Sequence, residues 1–90
     1  MYKVSKSTNP KGLSKFIISR LFRGENPLKL VAMGEACSNL FNACLDVLTI
    51  GGIKANLKLE AVEQKKRNGS IPVPRLEVTL ARENENNNQN

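Results

Sequence analysis

The residue types best suited to chemistry in this chain are concentrated in Lys65, Lys66, Arg67 and Asn68, which run directly into Gly69. Three consecutive cations meet an Asn-Gly pair, a dipeptide that favours a tight turn between two strands. A turn tip is the most exposed place a chain has. Cations held there can neutralise phosphates, and a two-stranded ribbon fits a nucleic-acid groove. The bland reading is that charge at a hairpin end keeps it soluble and blocks edge-to-edge pairing. A second basic cluster, Lys6, Lys11 and Lys15, flanks the string STNPKG, in which Asn9-Pro10 marks a helix start. Helix N-termini receive phosphate on their free N–H groups. The bland reading there is a solvated helix face.

The overall balance points the same way. Fourteen Lys and Arg against eight Asp and Glu give a net charge of +6, which favours a polyanionic partner. Aromatic residues are few, and Phe16, Phe22, Phe41 and Tyr2 fall at spacings that a core would use. A base-stacking platform is therefore weakly supported, and the expected contacts are to phosphate and shape, without sequence specificity.

Enzymatic chemistry lacks its usual parts. The chain has no histidine, the commonest general base and metal ligand. Cys37 and Cys44 are seven residues apart, two helical turns or roughly 10.5 Å along an axis, too far for a disulfide. They read as small apolar groups in a reducing compartment. Glu60 and Glu63 fall on opposite faces of a strand. There is no phosphate-binding glycine loop and no metal-ligand spacing, since Gly51-Gly52 reads as a helix end. The expectation is a protein that is not an enzyme and takes no metal or cofactor.

The elements that position these residues follow from periodicity. Residues 2–7 alternate as a short strand. Residues 11–24 form an amphipathic helix with Leu13, Phe16, Ile17, Leu21 and roughly Ile18 inward. Residues 26–34 form a second strand. Residues 35–52 form a second helix whose inward stripe is Cys37, Leu40, Phe41, Cys44 and Leu48, with Val47 beside it. Residues 53–65 and 73–82 alternate as two strands of a hairpin, with Ile53, Ala55, Leu57, Leu59 and Ala61 on one face. The order is β-α-β-α-β-β, which predicts an α/β (α+β) two-layer sandwich: a mixed four-stranded sheet with two helices on one face. Residues 1–82 are expected to be one domain, and the Asn-rich stretch 83–90 a disordered tail. Ninety residues with 40% apolar content support one core of modest stability, and dimerisation would add buried area. No run approaches the ~20 apolar residues of a membrane span, and MYKVSKSTNPKG has no secretory apolar region. An intracellular protein, cytoplasmic or nuclear, is expected.

Three strings carry a family resemblance. NPKGLSKFI looks like a first loop and helix start, LKLVAMGEACSNLFNACLDVL like a strand-turn-helix closed by alanine and glycine, and SIPVPRLEVTLAR like a returning last strand. Their order over residues 2–82 resembles the Alba superfamily, which includes archaeal chromatin proteins, eukaryotic RNA-binding relatives and the stage V sporulation protein S group. The resemblance implies a non-enzymatic protein that binds RNA or DNA, with Lys11, Lys15, Lys65, Lys66, Arg67 and Asn68 at the nucleic acid. It also implies a homodimer, or a heterodimer with another Alba-like chain, through Phe41, Leu45 and Leu48. Leu45 falls off the main inward stripe, so its exposure would call for a partner. The chain departs from the family pattern where archaeal members carry paired lysines and flanking arginines: Thr8, Asn9, Met33 and Glu35 stand there, and Asn39 stands where a lysine is frequent. The alternative is a protein–protein interaction subunit of a ribonucleoprotein, or a sporulation-type regulator, with weak or no direct nucleic-acid binding.

Overall fold

The computed structural model describes residues 1–83. The Asn-rich tail, Glu83 apart, lies outside the described residues. The elements are β1 (Tyr2–Val4), α1 (Pro10–Phe22), β2 (Leu28–Met33), α2 (Ala36–Leu48), β3 (Ile53–Lys66) and β4 (Gly69–Arg82). The predicted order holds. The sheet runs β1-β2-β4-β3. β1 is parallel to β2, while β4 is antiparallel to both β2 and β3. The last strand is thus inserted between β2 and β3.

The core lies between the helices and one sheet face. Ile17 and Leu21 of α1, Leu40, Ala43 and Val47 of α2, and Leu30, Val78 and Leu80 of the sheet are sealed from solvent. Each large apolar side chain buried this fully contributes about 1.5–3 kcal/mol. Ser14 is buried among them. Its hydroxyl donates to the Pro10 carbonyl at 2.9 Å and to Asp46 Oδ2 at 3.2 Å, which ties α1 to α2.

Several boundaries differ from the sequence expectation, among them those of β2, which spans Leu28–Met33 in place of 26–34. β1 stops at Val4, because Ser5–Thr8 fold into a hydroxyl-bonded turn in which the Ser5 N–H donates to Thr8 Oγ1 at 3.1 Å. α1 ends at Phe22, and Gly24 turns away at φ 107°. α2 ends at Leu48, before Gly51 and Gly52, which carry φ of 86° and 75°. β4 begins at Gly69, so Pro72 and Pro74 lie inside the strand. They are tolerated because the Pro74 carbonyl, which accepts from the Gly34 N–H at 2.8 Å, faces away from β3. A residue's N–H site lies on the same side as its carbonyl. Both prolines therefore turn their missing donors away from the β3 ladder.

Two packing expectations are corrected. Phe41, assigned by spacing to the inward stripe of α2, is 45% exposed, and Phe22 is 57% exposed. Leu57 and Leu59 continue the apolar face of β3 opposite the buried Val78 and Leu76, but on the edge strand they stand 40% and 70% exposed. The second cysteine, Cys44, is buried as expected, whereas Cys37 is half-buried, and both are free.

Candidate nucleic-acid interface

The hairpin overshoots the sheet. β2 ends where Met33 faces Arg75, and Arg75 faces Glu60 across the β3–β4 ladder. Six more rungs follow, from Ala61–Pro74 to Lys66–Gly69. At about 3.4 Å per residue they form an arm reaching roughly 20 Å beyond β2. The longest dimension of the molecule, 57 Å against 27 and 19 Å, reflects it.

Lys65 and Lys66 occupy the last rungs of β3, opposite Ser70 and Gly69, and Arg67 and Asn68 form the two-residue turn. No residue other than glycine has positive φ among the described residues, so Arg67 and Asn68 stay in ordinary backbone regions. Gly69, at φ 126°, completes the reversal. Neighbouring residues on a strand point to opposite faces. Lys65 and Lys66 therefore arm both faces of the ribbon. All four tip residues are exposed.

The second basic cluster emerges from the same end of the domain. β1 runs parallel to β2, so the loop after Val4 lies at the Met33 end, the end from which the arm projects. Lys6, Lys11 and Lys15 are exposed there. Asn9 caps α1, its Oδ1 accepting from the Lys11 N–H at 2.9 Å. Pro10 has no N–H, and that of Leu13 donates to the Asn9 carbonyl at 2.9 Å. The Gly12 N–H is what the helix start retains for an anion, fewer amides than a free N-terminus offers. The loop is anchored from α2: the Asn39 side-chain amide donates to the Lys6 carbonyl at 2.9 Å and the Ser5 carbonyl at 3.4 Å.

Between loop and arm lies a neutralised patch. Arg75 Nη1 is 3.0 Å from both Glu60 and Glu77. Its hydrogen bond to Glu77, helped by Glu60, raises its pKa further above the usual arginine range. Sequence reasoning missed this trio, although counting rungs back from a two-residue turn at 67–68 pairs Glu60 with Arg75. Glu35 and Met33 are also exposed at this end, so the positive field is divided between the arm and the α1 loop.

The three predicted contact residues of α2 are graded. Phe41 and Leu45 are 45% and 48% exposed, whereas Leu48 is partly buried against the core. Phe41 and Leu45 share the helix side of the sheet with Leu57 and Leu59.

No protein-family model matches the chain, and no curated protein matches its sequence. Among solved structures, Alba from Thermoplasma volcanium superposes with a TM-score of 0.73 over 89% of this chain and 99% of that one, at 17% sequence identity. The fold is Alba-like. Two helices against a four-stranded mixed sheet match this structural neighbour. No helix among the described residues is long and apolar enough to cross a membrane.

Proposed function

We propose that this chain is an Alba-like nucleic-acid-binding protein that grips the phosphate backbone of RNA or DNA without reading sequence. The observation that supports this reading is the placement of two basic clusters at one end of the fold: Lys65, Lys66 and Arg67, with Asn68, on the projecting arm, and Lys11 and Lys15 at the start of α1. The arm reaches into or along a groove while the loop cations hold the backbone against the body. The chain acts as a dimer, with itself or another Alba-like chain. Phe41 and Leu45, with Leu48 behind them, form the contact together with Leu57 and Leu59, and two arms then embrace one nucleic acid. The exposed apolar area on α2 and β3 favours a partner of this kind. It also keeps a second reading in view, a protein-interaction subunit that relies on its partner for nucleic-acid contact.

The test is a titration of short double-stranded DNA, double-stranded RNA and single-stranded RNA at low and physiological salt. Salt-sensitive binding to any of them is expected, and the ranking selects the target. Absence of binding even at low salt would overturn the proposal and leave the protein-interaction reading.

A further inference from the structure

At the end of the domain opposite the arm, α1, β4 and the segment between α1 and β2 build an arginine–aromatic surface. Phe22, the last residue of α1, is 57% exposed, and the Arg82 guanidinium lies 5.2 Å from its ring centre. Arg82 is held from the backbone side, its N–H donating to Asn26 Oδ1 at 3.0 Å. Arg23, next to Phe22, is exposed. Arg20, one turn back, lies 5.1 Å from the Phe16 ring centre and 5.9 Å from that of Tyr2, and pairs with Glu25 at 3.7 Å. Tyr2 in turn donates to Glu25 Oε2 at 2.8 Å. Glu25 is thereby occupied by Arg20 and Tyr2. Among the described residues, the nearby carboxylate left in solvent is that of Glu83, whose N–H donates to the Gly52 carbonyl at 2.8 Å.

We infer that Phe22 and Arg82 form a stacking platform for one unpaired base of a single-stranded nucleic acid, with Arg23 receiving an adjacent phosphate. A ring exposed at a helix end with a guanidinium lying over it offers a base two π surfaces, the free ring face or the outer guanidinium plane, and every base has a face to stack on one of them. Among the described residues the guanidinium pairs with no carboxylate, so it also supplies charge. The charge and the flat apolar surface together fit an unstacked nucleotide better than a duplex, whose bases are already stacked. The inference rests on the nucleic-acid reading above but uses none of its residues. A strand held on the arm would be read by phosphate, and this end would add a preference for unpaired segments.

The experiment compares a fluorescein-labelled uridine oligonucleotide, an abasic strand of equal length and a DNA duplex against the wild type, Phe22→Ala and Arg82→Lys. Phe22 is exposed, so the variants should keep the wild-type melting temperature within a few degrees. Phe22→Ala should weaken the uridine strand about five- to hundredfold, the worth of a single base stack, and leave the abasic strand and duplex within twofold. Arg82→Lys, which keeps charge and loses the planar fork, should show a smaller selective loss. As a separate readout, Phe22→Trp introduces the chain's single tryptophan, whose emission should be quenched by the uridine strand and not by the abasic one. Equal losses for all three ligands, or an unquenched tryptophan, would remove the platform while leaving the arm reading intact. Failure of the wild type to bind any ligand would remove both.

Discussion

The side-chain amide of Asn39 donates to the main-chain carbonyl of Lys6 at 2.9 Å, so a residue of α2 fixes the loop that presents the α1 cations. Asn39 occupies a place where the resemblance would put a cation, yet its geometry is that of a clamp. Asn39→Ala should cost about 0.5–1.5 kcal/mol of stability, the net worth of a neutral hydrogen bond. It should also weaken nucleic-acid binding a few-fold by freeing the loop. Asn39→Asp should lose more of both, since a carboxylate would face the Lys6 and Ser5 carbonyls without a proton to give. Denaturant melts and binding isotherms at one salt concentration check this. Equal affinity in all three proteins would mean that the loop does not take part.

The arm makes a sharper electrostatic prediction. Lys65 and Lys66 point to opposite faces of the ribbon, and Arg67 sits in the turn. Replacing all three by alanine should flatten the dependence of log K on log salt by about 0.9 for each B-DNA phosphate that is no longer neutralised. If only one face of the arm meets the duplex, Lys65→Ala and Lys66→Ala should differ, one changing the slope by nearly the full amount for one phosphate and the other hardly at all. Thermal stability should not move, because the tip lies about 20 Å beyond β2. An unaltered slope in the triple variant would exclude the arm from binding.

The proposed dimer surface is tested by charge. Leu45→Glu, alone or with Phe41→Glu, should give a monomer by analytical ultracentrifugation while preserving the circular dichroism spectrum, because both side chains are already about half exposed. The wild type should show a melting temperature that rises with protein concentration, as mass action requires of a dimer, and the variants should not. A Leu45→Glu protein that sediments like the wild type would place the contact elsewhere.

How far the sequence spoke depended on whether a feature was local. The helix over 11–24 and the alternation over 53–65 declared themselves because periodicity and a capping Asn-Pro pair are written in neighbouring residues. Phe41 did not, since a helix residue facing the core and one left exposed at its margin can have the same spacing. Only the position of α2 over the sheet separates them. The start of β4 was also hidden. Pro72 and Pro74 look like strand breakers until the order β1-β2-β4-β3 shows which edge their missing N–H groups face. The basic residues of the tip were visible individually. Their projection from the same end as Lys11 and Lys15 required the parallel register of β1 with β2. Asn39, Arg75 and the Phe22–Arg82 pair owe their roles to contacts across elements.

Cys44 supplies the pH prediction. Burial pushes its thiol from an ordinary 9.0 up to about 11, because the thiolate would be formed in the apolar core. The folded state thus favours the protonated form. Stability from this group is fully present below pH 9 and is lost as pH rises toward 11, by about 2–3 kcal/mol in total. Tyr2 acts in the same direction, its phenol raised by the hydrogen bond to Glu25 and by burial, so its share begins to fall above its ordinary value of 10.0. Cys44→Ala should lower stability at pH 7 through the small cavity it leaves, yet flatten the decline between pH 9 and 11. Tyr2→Phe should flatten only the upper part. Urea melts from pH 7 to pH 11 on the three proteins separate the contributions. Parallel curves for the wild type and Cys44→Ala would show that the thiol escapes the core before it ionises.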